Sequence, residues 1–184
     1  MSLINAIRHF KTITHHRHLV MKSCFKVGLY RQGLMHDLSK YSWTEFSVGA
    51  KYYQGTRSPN NREREEKGLS TAWLHHKGRN KHHYEYWIDY NVGSKDGEMP
   101  LCGMKMPVRY VVEMYIDRIS ACKNYLGDKY TDDAALNYYL RGHGHYVIHP
   151  DSDALLHKLL LMNAEKGEEE TYRYIRKYVL KNKK

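Results

Sequence analysis

The sequence predicts an all-α fold in a single domain. Three observations carry this reading. Apolar residues recur at helical spacing, Gly and Pro fall at the ends of those stretches, and strand signals are nearly absent. At 184 residues the chain has the length of one domain, enough to bury about 70% of its unfolded surface without covalent staples.

A first helix is expected over residues 3–13 and a second from about His15 to Gln32, stopped by Gly33. On the second, His16, Val20, Cys24 and Val27 share a face. Leu34-Met35-His36-Asp37-Leu38 follows, an apolar stretch interrupted by a His-Asp pair. Ser42-Trp43-Thr44-Glu45 has the form of a capping box, which assigns Glu45 to a helix start rather than to chemistry, and the helix should run to about Gln54. Residues 55–61 are a loop by their turn residues. A charged stretch from Arg62 to Lys67 leads into Leu69–Tyr90, which carries a histidine cluster. Asp89 to Met106, Gly-rich and polar, reads as a long connection of the kind that often carries function. Pro107 suits the first position of a helix to about Leu126, closed by Gly127. Further helices are expected from Thr131 to about Arg141, near 150–163, and over Glu168–Lys181.

The charge is lopsided, with 30 Lys and Arg against 20 Asp and Glu for a net of +10. Within residues 1–40, seven basic side chains oppose Asp37 alone. Such a field concentrates anions, which points to phosphorylated small molecules, nucleotides or nucleic acid as partners. A charge serving solubility alone is the competing account. Aromatic residues make up 12% of the chain, which argues against disorder. The tyrosine-rich stretches at 52–53, 138–139 and 172–174 read as packing residues rather than base-stacking platforms. Cys24, Cys102 and Cys122 are odd in number and lack CxxC spacing, so neither a disulfide framework nor a zinc ribbon is indicated, and a reducing cytoplasm is the expected location. No apolar run suits a signal peptide or a membrane span, so no membrane partner is expected.

The His36-Asp37 pair is the centre of the chemical reading. An imidazole and a carboxylate side by side can meet at one ion, but two donors hold a transition metal poorly. Further donors lie on both sides: His16 on the preceding helix, and Asp117 inside the helix that Pro107 opens. This mixed N/O set suits Mn, Fe, Co, Ni or Zn better than Ca. A chance dipeptide or a structural hydrogen bond is the alternative in a chain with 13 histidines.

The order His16, His36-Asp37, Asp117 resembles the HD-domain superfamily of metal-dependent phosphohydrolases. More narrowly, HLVMKSCFKVGLYRQGLMHDLSKYSWTEF, AWLHHKGRNKHHYEYW and MPVRYVVEMYIDRI resemble a poorly characterised bacterial and phage family with HDLSK and HHKGRNKHH motifs, regarded as HD-like. The resemblance covers residues 12–126, with C-terminal helices over about 127–184, and implies an HD-like helical bundle with ligands drawn from separate helices. By the same resemblance, extra histidines would bind a second ion, and His76 and His83 are the candidates. His75 and His82 would then face substrate or outer partners. One metal, with the 75–83 histidines recognising phosphate, is the alternative.

Lys40 lies within reach of a substrate phosphate, the role a basic residue near the HD pair takes in the wider superfamily. Lys77, Arg79, Asn80 and Lys81 are further substrate-binding candidates. Glu113, four residues before Asp117, suits either orientation of a ligand imidazole or a salt bridge to Arg109 or Arg118. His143, His145 and His149 read as bystanders.

The expected function is metal-assisted phosphoester hydrolysis, with a nucleotide as the expected substrate and Asp37, Lys40 and His82 in the catalytic positions. Two other readings are kept. One is a di-iron oxygenase on the same ligands, and the other is a non-enzymatic basic module that binds nucleic acid or a partner.

Overall fold

In the computed structural model, which describes residues 2–181, α1 (Leu3–Lys26) is one unbroken helix, opened by the Ser2 side chain accepting from the amide of Asn5. The expected break between residues 13 and 15 is absent. No Gly or Pro interrupts the stretch, and His9, Ile13, His16, Val20 and Cys24 form a single buried stripe at helical spacing. That stripe carries His16 into the interior. The helix stops at Val27 and Gly28, whose φ of +82° turns the chain. Gly33, expected to end a helix, instead lies inside α2 (Tyr30–Met35). A Cβ at Gly33 would lie 3.0 Å from that of Cys24, so the glycine permits close approach of α2 to α1.

A short 3-10 turn (Leu38–Tyr41) leads to α3 (Trp43–Lys51), three residues shorter than expected. α4 (Pro59–Lys67) begins where a loop was expected, with Pro59 in its first turn. The buried Glu63 carboxylate then accepts from the hydroxyls of Ser70 and Thr71, joining α4 to the start of α5 (Thr71–Lys77). A 3-10 turn (Tyr84–Trp87) and an antiparallel pair, β1 (Ile88–Tyr90) and β2 (Leu101–Gly103), occupy the stretch read as an irregular connection. Val108–Leu126 forms α6, Ala134–Gly142 forms α7, and Pro150–Tyr174 forms α8. Gly167, at φ +76°, bends α8 where the sequence suggested two helices, and a single π-turn (Ile175–Val179) follows.

The architecture is an all-α bundle with one two-stranded sheet. α6 is its axis. Val112, Tyr115, Ile116 and Ile119 pack against Val20 and Cys24 of α1 and against Leu156, Leu159 and Tyr172 of α8. On α6, Glu113 and Asp117 lie one turn apart and leave this apolar core toward α1 and α2. Among the described residues no helix is long and apolar enough to cross a membrane.

Candidate metal centre

His36 and Asp37 do not continue a helix. α2 ends at Met35, His36 is extended, and Asp37 has φ +54° and ψ +22°, the one left-handed non-glycine residue among those described. Such a conformation costs about 1–2 kcal/mol for an L-residue, least for Asp and Asn. It turns the chain sharply, so the two side chains reach a common point although neighbours on a helix would diverge by about 100°. Both residues are 2% exposed.

The two oxygens of Asp37 face different partners. Oδ2 lies 3.6 Å from His16 Nε2 and 3.4 Å from His36 Nε2. Oδ1 lies 3.3 Å from His76 Nε2 and 3.5 Å from His82 Nε2. Asp117 Oδ1 closes the first side, 2.9 Å from His16 Nε2 and 3.5 Å from His36 Nε2. Two groups of donors therefore share Asp37: His16, His36, Asp37 and Asp117 on one side, and Asp37, His76, His82 and His83 on the other. Within each, the ligand atoms lie within 4.8 Å of one another. A third group, His36, His82 and Glu113, spans the two sides.

The outer nitrogens are held by carboxylates. Glu113 Oε1 accepts from Nδ1 of His36 at 2.9 Å and lies 3.2 Å from Nδ1 of His82. Glu45 accepts from His76 Nδ1 at 2.8 Å and from His75 Nδ1 at 2.6 Å. Nδ1–H bonded outward leaves Nε2 as a lone pair directed inward. Glu45 thus serves the histidines and not the capping box. Ser42 makes no side-chain cap to α3, and α5 brings His75 and His76 against the Glu45 carboxylate that would complete the box.

The centre consists largely of acceptors facing acceptors. His16 Nε2, His36 Nε2, His82 Nε2 and both oxygens of Asp37 are buried with no hydrogen-bond partner. The close approach of His16 Nε2 to Asp117 is a contact in distance without hydrogen-bond alignment. Lys40 Nζ, 2.6 Å from Asp37 Oδ2, supplies one positive charge. The remaining demand for positive charge shows in the ionisation. Burial pulls His36 down, but the Asp37 charge and the contacts with Asp117, Asp37 and Glu113 outweigh it and hold this imidazole well above its ordinary value. Burial works against the charge of Asp37 as well, yet His36, Lys40 and His76 keep its carboxyl well below the usual range. His83 goes the other way, pushed well down by burial and by the neighbouring His82 and His76. Its Nε2 lies 2.9 Å from that of His76, whose Nδ1 is held by Glu45.

A cavity of about 580 Å³ opens beside the centre, lined in part by His16, Lys40, His76, His83 and Asp117. This is a normal size for a small-molecule site. Lys77, Arg79 and Lys81, expected to meet substrate, do not line it. Arg79 donates to the carbonyl of His75 and Lys81 lies over the Tyr86 ring, both exposed, because the turn after α5 points their stems outward. Asn80 is buried as a brace instead: its Nδ2 donates to Ser39 Oγ and to the carbonyl of His76, each at 2.8 Å. His82, assigned a catalytic position by the sequence, lies among the inward donors with its Nδ1 facing Glu113, which makes it a ligand candidate rather than a free base. His75 keeps to the outer shell through Glu45. Lys40 lines the cavity.

The cavity also holds residues to which the sequence reading gave no role in binding, among them Arg57, Arg64, Glu85 and Arg118. Glu85 had a usable signal, since it lies two residues past His83 in the second motif block. Burial raises its carboxyl above the ordinary value, with Arg118 and Lys77 offsetting part of the effect. His149 caps α8 by accepting from the amide of Asp151, and His143 pairs with Asp153 at 3.2 Å.

Residues 5–162 match a family described as a family of unknown function (DUF5662). No curated protein and no solved structure matches the chain.

Proposed function

We propose that this chain, which belongs to the DUF5662 family, is a metal-dependent phosphohydrolase acting on an organic phosphoester such as a nucleotide, with an HD-like centre for two divalent transition ions. The observation that carries this reading is the set of five buried donor atoms without hydrogen-bond partners, on His16, His36, Asp37 and His82, of which only Asp37 Oδ2 has a cation beside it, Lys40 Nζ. Leaving that many acceptors buried and unsatisfied costs several kcal/mol, and a cation between them removes the cost. The donors fit the group. Imidazole nitrogens and carboxylate oxygens suit Mn, Fe, Co, Ni or Zn, and Asp37 offers one oxygen to each side.

His16, His36, Asp37 and Asp117 would hold one ion, and Asp37, His76, His82 and His83 the other. Metal ions in such a place polarise a phosphoryl oxygen and lower the pKa of bound water from 15.7 toward about 7. The residues of the chain position and neutralise. Lys40 Nζ, beside Asp37 Oδ2 and on the cavity wall, offsets charge on a phosphoryl oxygen. Glu113 and Glu45 fix the tautomers that direct Nε2 inward. The rings of Trp73 and His83, 4.7 Å apart, help exclude bulk water from the second side.

The test is elemental analysis of protein purified from metal-supplemented cells, followed by hydrolysis of a panel of nucleotides and simple phosphomonoesters. Two equivalents of metal and an activity that falls at least about 100-fold in His36→Ala are the expected results. Bound iron with an oxygen-dependent absorbance and no phosphatase activity would move the reading to the oxygenase. Nucleic-acid binding that weakens with salt and is unchanged by His36→Ala, without bound metal, would move it to the non-enzymatic module.

A further inference from the structure

We propose that Arg118 and Glu85 are the specificity-determining pair of the cavity, recognising a polar, hydroxylated leaving group on the substrate. The inference rests on the hydrolase reading above and extends it from the reacting phosphoryl to the group attached to it.

The cations on the cavity wall divide by what they already bind. Lys40 faces Asp37, and Arg57 makes a two-pronged contact with Glu65 at 2.6 and 2.8 Å. Arg64 stacks on Trp73 and donates to Asn61. Arg118 and Arg141 are different, since among the described residues neither has a carboxylate within salt-bridge distance or a hydrogen-bond acceptor; Arg141 is exposed beside the Tyr138 ring, whereas Arg118 is half-buried. Its guanidinium lies over the rings of Tyr139 and Tyr146, 5.9 and 5.7 Å from their centroids. Ring faces hold a guanidinium through its plane and leave its N–H edge free. A partly desolvated cation with an unused edge on a cavity wall is a donor site for oxygen atoms.

Glu85 is its complement. Oε2 of Glu85 is buried without a donor, and the residue lines the same cavity. A carboxylate oxygen there needs an O–H or N–H from whatever fills the space. Together the two side chains present donors and an acceptor, the combination that reads a hydroxylated or amino-bearing group and gains nothing from a bare hydrocarbon.

Arg118 follows Asp117 directly and Glu85 follows His83 by two residues, and all four line the same cavity. A substrate whose phosphoryl group meets the metal donors therefore offers this pair the group attached to it. A sugar or nucleoside phosphate fits this description; an aryl or alkyl phosphate does not.

The experiment compares ribose 5-phosphate with phenyl phosphate, whose ring carries no donor, in metal-loaded wild type, Arg118→Gln and Glu85→Gln. Each substitution should lower the ratio of kcat/KM for ribose 5-phosphate over phenyl phosphate at least tenfold, with the change in KM. An unchanged ratio, or a wild type that does not prefer ribose 5-phosphate, would overturn the assignment. If the wild type hydrolyses neither ester nor any nucleotide of the panel, the hydrolase reading fails, and calorimetric binding of ribose 5-phosphate to the same three proteins decides the pair. Binding weakened tenfold in both variants, with their melting temperatures retained, supports it. No binding, or equal binding by all three, rejects it.

Discussion

Asp37 concentrates the chemistry of this molecule in one residue, because its left-handed backbone aims two oxygens at two separate sets of imidazoles. Substitutions should therefore differ in metal stoichiometry. Asp37→Asn, which keeps tolerance of the left-handed backbone, removes the shared charge and should reduce bound metal from two equivalents toward none. His16→Ala touches one donor group and should leave about one equivalent. Elemental analysis of the two variants distinguishes them, and equal losses would speak against a shared carboxylate. Glu113→Gln should keep the fold and weaken metal affinity 10- to 100-fold, read by competition with a chelating dye. His9 offers a prediction away from the ligands. Burial first, and then the Lys40 charge, lower its pKa from 6.5 to about 4. Between these values the unfolded chain takes up a proton that the folded chain refuses, so stability falls as pH drops through that window and levels off below it. The loss is at most about 3 kcal/mol at 1.36 kcal/mol per unit. Urea melts of wild type and His9→Gln at pH 7 and pH 4.5 should show a smaller acid loss in the variant.

At the scale of elements, close approaches set which substitutions are tolerated. A Cβ on Gly103 of β2 would lie 2.5 Å from the amide nitrogen of His149 and 2.6 Å from the carbonyl carbon of Ile148. Both are backbone atoms and cannot rotate aside. Gly103→Ala should destabilise by about 1–3 kcal/mol, measured by thermal or urea unfolding. It should also displace the start of α8, where the Ser152 hydroxyl accepts from the amide of Met106. Gly167 bends α8 at positive φ, with open space around it apart from Asp132 Oδ2 at 3.4 Å. Gly167→Ala should cost about 1–3 kcal/mol, because φ +76° with ψ 172° is a backbone region confined almost entirely to glycine. The element boundaries show what local sequence conveys. The buried stripe of α1, the proline and glycine that bracket α6 and the bend at Gly167 are all marked by residue type. The fusion of two expected helices into α1 and the use of Gly33 as a contact were not marked, because both depend on which face a neighbouring helix covers.

For the whole molecule, metal binding and folding should be linked. The donors come from α1, the turn after α2, α5 and its following loop, and α6, so an ion bound among them ties together segments up to about 100 residues apart. A ligand at 100 times its Kd adds about 2.7 kcal/mol, which for a chain of this size raises Tm by about 5–10 °C. Calorimetric scans with Mn or Ni, then with excess chelator, should show the rise and its reversal. His16→Ala should retain part of the rise, and Asp37→Asn little of it.

The sequence by itself determined the helical class, the buried stripe that carries His16 inward, and the membership of His16, His36, Asp37, His76, His83 and Asp117 in one candidate set. The class and the stripe rest on periodicity and residue type, which are properties of short stretches of chain, and His76 and His83 joined the set through the family resemblance. Only the tertiary structure decided that the Asp37 oxygens face opposite ways, that Glu45 orients histidines instead of capping a helix, and that Arg118 rather than Arg79 or Lys81 meets the cavity. Each of these depends on the direction of a side chain relative to an element 30 to 80 residues away. Direction across such separations is set by how helices pack, and helix packing leaves no local signature in the order of residues.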